Sequence, residues 1–122
     1  MQKIKLNVLK EFRREISVYG DFFWDFYNKQ NLIVQKKIDW TIGLVKVLRI
    51  IPEKYLKHIT NSDGIWEIRV KAGNGIFRIF CFFDNEKLII LLSGFQKKTQ
   101  KTPKQEIKRA EKLKKEYYED KE

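Results

Sequence analysis

Residues 64–96 read GIWEIRVKAGNGIFRIFCFFDNEKLIILLSGFQ, and this stretch decides the fold. Its apolar runs are rich in β-branched and aromatic residues, and the short polar connections AGNG and DNEK separate them. Such runs are typical of β-strands, and connections of this length are typical of hairpins. The sequence therefore predicts an antiparallel meander of three strands, Ile65–Lys71, Ile76–Phe83 and Leu88–Leu92.

The segments before the meander predict a short strand and two helices. Glu15–Tyr19 alternates apolar and polar residues as a half-buried strand does. Asp21 begins a first helix within DFFWDFYNKQ, and Asn31 caps a second helix that Pro52 ends or closely follows. The second helix carries apolar residues at spacings of three and four: Val34, Ile38, Ile42, Val45 and Leu48.

The segment after the meander predicts one more helix. Thr102, Pro103 and Gln105 suit its N-cap, first and third positions. Its apolar stripe is Ile107, Ala110, Leu113 and Tyr117. The predicted order is β-α-α-β-β-β-α, which is an α+β fold with a small antiparallel sheet packed against helices.

The composition bounds the size and the partners of the chain. A length of 122 residues suits one domain over 1–122, and 43% hydrophobic residues can form its core. Lysine and arginine number 26 against 16 acidic residues, so the formal net charge is +10. A field of this size attracts nucleic acid, an anionic membrane or an acidic protein.

The N-terminus and the rare residues indicate where the chain acts. MQKIKLNVLKEF has no apolar core of a signal peptide, and no stretch approaches the roughly 18 apolar residues of a membrane span. We therefore expect a cytoplasmic chain with no membrane partner. Cys81 and His58 are the sole cysteine and histidine, so the sequence contains neither a disulfide pair nor a zinc-ligand cluster. We expect no metal and no cofactor.

The first hairpin of the meander carries a charged face. Strand alternation places Trp66, Ile68 and Val70 on one face and Glu67, Arg69 and Lys71 on the other. The same parity puts Arg78 and Phe80 on the charged face, with Phe77, Ile79 and Cys81 in the core.

The turn within AGNG decides which cations meet in this hairpin. Arg69 lies opposite Arg78 if the turn is Gly73-Asn74, and Lys71 does if the turn is Asn74-Gly75. Two facing cations destabilise a sheet unless an anion lies between them. The hairpin therefore favours an anion-binding function, although long basic side chains can also extend separately into water.

A basic segment follows the last strand. Residues 93–115 hold nine lysines and arginines against two glutamates. Lysines such as Lys104 on the last helix are typical of a solvated helix face. Lys97, Lys98 and Lys101 differ, because they lie in the loop at the end of a strand, where binding residues are common. These three are candidate residues for binding a polyanion such as nucleic acid.

These motifs together resemble a known family. GIWEIRVKAGNGIFRIFCFFD followed by LLSGFQKKTQKTPKQEI is similar to the phage Gp49-like, HigB-like branch of the RelE/ParE toxin superfamily, and the resemblance covers Tyr19 to Tyr118. It implies a RelE-like sheet backed by helices, and a toxin that cleaves messenger RNA on translating ribosomes. It also implies a cognate antitoxin, for which a small helix-turn-helix protein is expected. The alternative is a toxin without catalysis that binds gyrase, the ribosome or nucleic acid.

The resemblance also implies a metal-independent reaction and its site. In such endoribonucleases the RNA 2′-hydroxyl attacks the neighbouring phosphate, and cations stabilise the charge that develops. Arg69 and Lys71 match the basic positions of the first meander strand, and Arg78 matches the arginine of the next. Lys97 and Lys98 match the basic pair after the last strand. Arg78 is the foremost catalytic candidate.

The sequence does not identify the general acid or the general base. Many RNA-cleaving relatives have a tyrosine or histidine near the start of the last helix, where this chain has Thr102-Pro103. A lysine whose pKa is lowered in the cationic cluster is one candidate acid. Glu67 is a candidate base, and the alternative is an ion pair with Arg69 or Lys71.

Two other residues have simple structural interpretations, and Phe80 has two functional ones. His58 reads as an ordinary surface or loop histidine, and Cys81 as a core residue. Phe80 is a candidate for stacking on an RNA base from the charged face, or for filling a groove under the antitoxin.

Overall fold

A computed structural model describes residues 12–121. The N-terminal stretch MQKIKLNVLKEF, in which we looked for a signal peptide, lies outside these residues except for Phe12. Within 12–121, no helix is both long and apolar enough to cross a membrane. The described elements are β1 (Glu15–Val18), α1 (Phe22–Asn28), α2 (Leu32–Val47), β2 (Leu56–His58), β3 (Trp66–Ala72), β4 (Gly75–Asn85), β5 (Leu88–Gln96) and α3 (Lys104–Lys121).

The α+β fold class is confirmed, and the sheet holds one more strand than predicted. The strands lie in the order β1-β5-β4-β3-β2. The meander β3–β4–β5 is antiparallel, whereas β1 pairs in parallel with β5. The added strand is β2, three residues long and paired with Trp66–Ile68. A strand of this length is too short to show an alternating pattern in the sequence.

The helices begin close to the predicted positions. The side chain of Asn31 accepts a hydrogen bond from the Val34 amide, as expected for an N-cap of α2. This helix ends at Val47, five residues before Pro52. The last helix, α3, begins at Lys104, one residue later than expected. Its predicted apolar stripe does pack on the sheet, with Ala110 and Leu113 buried.

The β3–β4 turn is Gly73-Asn74. Gly73 has φ +58°, which suits the first central position of a type II′ turn, and Ala72 pairs with Gly75 around it. Of the two registers that the sequence allowed, this turn selects the one in which Arg69 lies opposite Arg78.

Both faces of the sheet carry a hydrophobic core. Helices α1 and α2 cover one face, and the core there includes Ile68, Val70, Phe77 and Ile79, as strand parity predicted. Helix α3 covers part of the opposite face, where Phe80, Phe82, Ile90 and Leu92 are buried. The charged face predicted for the first hairpin is therefore wrong at Phe80, which belongs to this second core. The charged face is confined to the hairpin end that α3 leaves open.

A polar network holds the C-terminal part of α3 against the sheet. Tyr117 and Tyr118 donate their hydroxyl hydrogens to the carboxylate of Asp84 on β4, at 2.8 and 3.1 Å. Lys121 donates to the same carboxylate at 2.9 Å. The hydroxyl of Tyr19 also donates to Asp120. These contacts fix α3 at one end of the sheet, away from the Gly73 turn.

Candidate functional site

The candidate site lies at the hairpin end of the α3 face. Arg69 on β3 is the cross-strand partner of Arg78 on β4, and Arg78 in turn pairs with Phe95 on β5. The amide of Lys97 donates to the carbonyl of Ile76 at 2.7 Å, which holds the start of the loop after β5 beside the same strand. Backbone pairing thus brings three basic residues from distant parts of the sequence together.

Glu67 supplies the anion between the facing arginines. Its carboxylate lies 3.3 Å from Nε of Arg69 and 3.6 Å from Nε of Arg78. The Glu67 and Arg78 side chains are 7% and 9% exposed, whereas Arg69 is 29% exposed. The ion-pair role that we considered for Glu67 is therefore present, and it explains how a sheet tolerates this register.

Backbone carbonyls also restrain the two guanidinium groups. Nη1 of Arg78 donates to the carbonyl of Phe77 at 3.1 Å, and Nη1 of Arg69 donates to that of Glu53 at 3.4 Å. The two Nε atoms form no hydrogen bond within residues 12–121, so each arginine is held by an ion pair with Glu67 and by one hydrogen bond to the backbone. Such restraint favours stabilising one defined negative group, because little side-chain freedom remains to be lost.

Burial and mutual repulsion destabilise the positive charges of the cluster. Burial lowers the pKa of Arg78; nearby Arg69 lowers it further, while Glu67 raises it. Burial also lowers the pKa of Lys97, and the charge of Arg78 lowers it further. An incoming anion would relieve this repulsion, so the cluster favours a negatively charged ligand.

Two adjoining cavities open at this cluster. The first, which we name the loop cavity, has a volume of about 540 Å³ and is lined by Arg69, Ile76, Arg78, Lys97, Lys98 and the loop residues Thr99 and Gln100. The edge cavity has a volume of about 420 Å³ and shares Arg69, Ile76 and Arg78 with the first. Lys71 lines the edge cavity. Five of the predicted basic residues thus line these two spaces.

Two predicted RNA-binding residues lie apart from these cavities. Phe80 is 0% exposed and packs edge-on against Phe95 with ring centroids 5.3 Å apart, so the prediction that it stacks on a base is wrong. Its strand parity was right, but α3 and its neighbours cover that part of the face. Lys101 is exposed in the loop before α3 and lines neither cavity.

The simpler interpretations of the lone histidine and cysteine are confirmed. His58 is exposed at the end of β2 and packs edge-on against Trp66, with ring centroids 5.2 Å apart. Cys81 is buried in the core, and burial raises the pKa of its thiol. Neither residue lines the loop cavity or the edge cavity.

Sequence reasoning missed the residues that complete the edge cavity. Trp40 and Lys37 come from α2, and Lys54 and Tyr55 come from the segment before β2. Trp40 is not part of the apolar stripe predicted for α2. An aromatic residue off that stripe is expected to be exposed. The sequence contains no signal that this residue approaches the hairpin.

The arrangement can bind a phosphodiester and stabilise added negative charge on it. The restrained arginines are suited to phosphate oxygens, since guanidinium groups bind them through paired N–H donors. Among residues 12–121, no group of three His, Cys, Asp or Glu side chains is placed to hold a metal ion.

Comparison with known proteins gives a family match. The family model described as phage derived protein Gp49-like (DUF891) matches residues 25–115, which is more than half of the chain. The matched span includes the sheet strands β2 to β5 and the predicted basic site residues. A comparison with curated proteins found no match.

Proposed function

The chain belongs to the Gp49-like family of RelE/ParE-like toxins, which suggests the toxin of a toxin–antitoxin system, and from this premise we propose that it is an endoribonuclease. Its substrate is messenger RNA on the ribosome, and its reaction requires no metal ion. The whole chain acts as one toxin domain. The observation that carries the proposal is the restrained pair Arg69 and Arg78, held by Glu67 at an open cavity.

The proposed reaction is an internal transfer of the RNA phosphate. The 2′-hydroxyl oxygen attacks the adjacent phosphorus and loses its proton to a base, while the bond from phosphorus to the 5′-oxygen breaks. The 5′-oxygen takes a proton from an acid, and the products end in a 2′,3′-cyclic phosphate and a 5′-hydroxyl. Negative charge grows on the phosphate oxygens in the transition state, where Arg78 and Arg69 would stabilise it.

Lys97 is the proposed general acid. It lines the loop cavity, and burial beside Arg78 lowers the pKa of its ammonium group, which brings the group nearer to the range where proton transfer is efficient. Lys98 and Lys71 line the two cavities and are proposed to hold neighbouring phosphates.

Glu67 is proposed to position the arginines rather than to act as the base. Its carboxylate contacts both Nε atoms, and the residue is 5% exposed, so a 2′-hydroxyl has little access to it. A role in holding Arg78 is consistent with this burial, whereas a role in proton transfer requires contact with the substrate.

The family implies an antitoxin partner, and we propose a small helix-turn-helix protein encoded beside this chain. The +10 net charge favours an acidic surface on that partner. Reading the adjacent frame and co-purifying the two products would test this pairing. Failure of an adjacent product to co-purify or to relieve growth arrest would contradict it.

The nuclease proposal predicts both growth arrest and specific RNA ends. Expression should stop growth, and mapped transcripts should carry 5′-hydroxyl ends that a polynucleotide kinase labels without prior phosphatase treatment. Cleavage in vitro should continue with EDTA on ribosome complexes that sedimentation shows to be intact. Growth arrest with whole transcripts and accumulated gyrase-cleaved DNA would instead support the gyrase-binding alternative.

A further inference from the structure

The edge cavity has the composition of a nucleobase-binding site, which the basic cluster alone does not explain. We propose that it binds an RNA base adjacent to the phosphate held by Arg69 and Arg78, an inference that rests on the proposed function. Its volume of about 420 Å³ lies within the range of roughly 300–1,000 Å³ that is usual for small-ligand sites.

Two aromatic rings form part of its wall. Trp40 on α2 is 50% exposed, and its ring lies edge-on to that of Tyr55 with centroids 5.9 Å apart. Both side chains line the cavity. An exposed tryptophan beside a second ring offers a flat apolar surface on which a base can stack, whatever the identity of the base.

Cations surround these rings. Nζ of Lys37 lies 4.6 Å from the centroid of Trp40, and Nζ of Lys54 lies 5.4 Å from that of Tyr55. Lys71 lines the same cavity from β3. Aromatic surface with interleaved cations suits a nucleotide, because the base stacks while the ammonium groups meet the phosphates on either side.

The sheet leaves this cavity open because β2 is short. Its three residues pair with Trp66–Ile68, and beyond them the amide of Arg69 donates to the carbonyl of Tyr55 at 2.8 Å. The segment before β2 thereby places Tyr55 beside the arginine pair. Since the edge cavity and the loop cavity share Arg69 and Arg78, a nucleotide chain can pass from one to the other.

A protein-binding role for Trp40 is the competing explanation. Ile33, Trp40 and Val47 are exposed at intervals of seven residues on α2, a spacing that suits a docked helix. The nucleotide is favoured because Trp40, unlike the other two, lines a cavity with Tyr55 and shares that cavity with both arginines.

Binding of an uncleavable RNA analogue tests the base site. We would measure the affinity of a short fluorescent 2′-O-methyl oligonucleotide and of copies with an abasic position scanned along it. Wild type should lose about tenfold or more in affinity when the stacked base is missing. Trp40→Ala should bind the intact and the abasic oligonucleotide alike, with the lower affinity that wild type shows for the abasic one. The salt dependence of its binding should match that of wild type, because Trp40 touches no phosphate.

Trp24→Ala is the matched control. Trp24 is 46% exposed on α1 and packs against Phe23 and Tyr27, outside the edge cavity. This variant should retain the wild-type preference for the intact oligonucleotide. A second measurement does not depend on truncation: the intact oligonucleotide should quench tryptophan fluorescence in wild type and in Trp24→Phe, but much less in Trp40→Phe.

The outcomes separate this inference from the nuclease proposal. Equal base dependence and quenching in the Trp40 and Trp24 variants would overturn the base site and assign Trp40 to the protein-docking face with Ile33 and Val47. Wild-type insensitivity to every abasic position would overturn it too. Cleavage of messenger RNA on ribosomes is measured in a separate assay. The nuclease proposal can therefore be confirmed or rejected whatever the result for the base site.

Discussion

Arg69 and Arg78 lie directly opposite each other across the β3–β4 hairpin, with their Nε atoms 3.3 and 3.6 Å from the single carboxylate of Glu67. Two positive charges and one negative charge therefore lie close together in a mostly buried region. Within it, the glutamate offsets the repulsion between the arginines without filling the adjoining cavity. The site is charged and restrained before any substrate binds.

Glu67→Ala should destabilise the protein strongly. Removing one partner of a buried ion pair costs about 3–5 kcal/mol, and the partial exposure of Arg69 places our expectation near the lower limit, about 3 kcal/mol. Sulfate should restore part of the loss by replacing the carboxylate between the arginines. Urea unfolding with and without sulfate would measure both effects.

Exposed Glu53 offers the matched control for this substitution. Glu53→Ala should change the free energy of unfolding by less than about 0.5 kcal/mol and show no added response to sulfate. If the Glu67 and Glu53 variants unfolded alike, the facing arginines would not need an internal anion.

Arg78→Ala should abolish toxicity while ribosome binding stays nearly intact. A positioned donor removed from a transition state typically lowers the rate by ~10² to 10³. Lys104→Ala should alter neither property, because Lys104 is exposed at the start of α3. A folded, soluble Arg78→Ala protein that remained toxic, beside an inactive Lys104→Ala protein, would move the site to α3.

Lys97→Ala and Lys98→Ala should weaken binding in a salt-dependent way. Each lysine that contacts a phosphate should reduce the salt slope by about one unit. Sedimentation with ribosomes at two salt concentrations would measure this slope. An unchanged slope in both variants would remove these lysines from the RNA path.

Because of Lys97, the affinity for an oligonucleotide should fall with rising pH while the free energy of unfolding rises. Its pKa is lowered from the ordinary 10.5, so between the folded and unfolded pKa values the unfolded chain binds more protons. Stability from this group therefore rises as pH rises through the folded pKa, while the ammonium charge that we propose to face RNA is lost. Lys97→Arg should keep oligonucleotide affinity to higher pH than wild type, and Lys97→Met should stabilise the free protein near neutrality. Identical pH profiles for wild type and Lys97→Arg would contradict this.

Asp84→Asn should loosen the end of α3. The hydrogen bond from Lys121, followed by that from Tyr117, lowers the pKa of Asp84. Stability from this carboxylate is therefore present above its unfolded pKa of about 3.9 and is lost as pH falls through the folded pKa. Near neutrality Asp84→Asn should cost about 1–2 kcal/mol, since a neutral amide accepts weaker hydrogen bonds.

The difference between Asp84→Asn and wild type should disappear in acid, and denaturant unfolding at both pH values would check this. Asp63→Asn is the control, because the Asp63 side chain is 80% exposed in its pair with Lys114. It should change stability little at either pH. A deficit in Asp84→Asn that persisted unchanged in acid would assign the effect to packing rather than charge.

Gly94→Ala and Gly43→Ala should change stability in opposite directions. A Cβ on Gly94 of β5 would overlap the ring of Phe26, so this change should cost about 1–3 kcal/mol through overpacking. A Cβ on Gly43 of α2 meets nothing within 4 Å, so alanine there should stabilise by about 0.5–1 kcal/mol. Thermal unfolding would rank the two variants. A neutral Gly94→Ala would mean that α1 can move away from β5 without loss.

The sequence by itself determined the elements and the side-chain parity of the meander. Alternation over Trp66–Lys71 placed Glu67 and Arg69 on one face, and the AGNG connection limited the cations opposite Arg78 to two residues. Asn31 was identified as a cap that the structure confirms. These features depend on neighbours within a few residues, and local periodicity and turn chemistry report on such neighbours.

Only the tertiary structure decided which residues on that face are accessible and which distant residues meet there. Phe80 and Arg78 share one strand face, yet the packing of α3 buries Phe80 in a core while Arg78 lines an open cavity. Trp40 and Tyr55 reach the arginine pair because α2 and the segment before β2 pack beside the hairpin. Strand parity assigns a side chain to a face, but the element that covers the face decides its burial, and that contact forms between segments far apart in sequence.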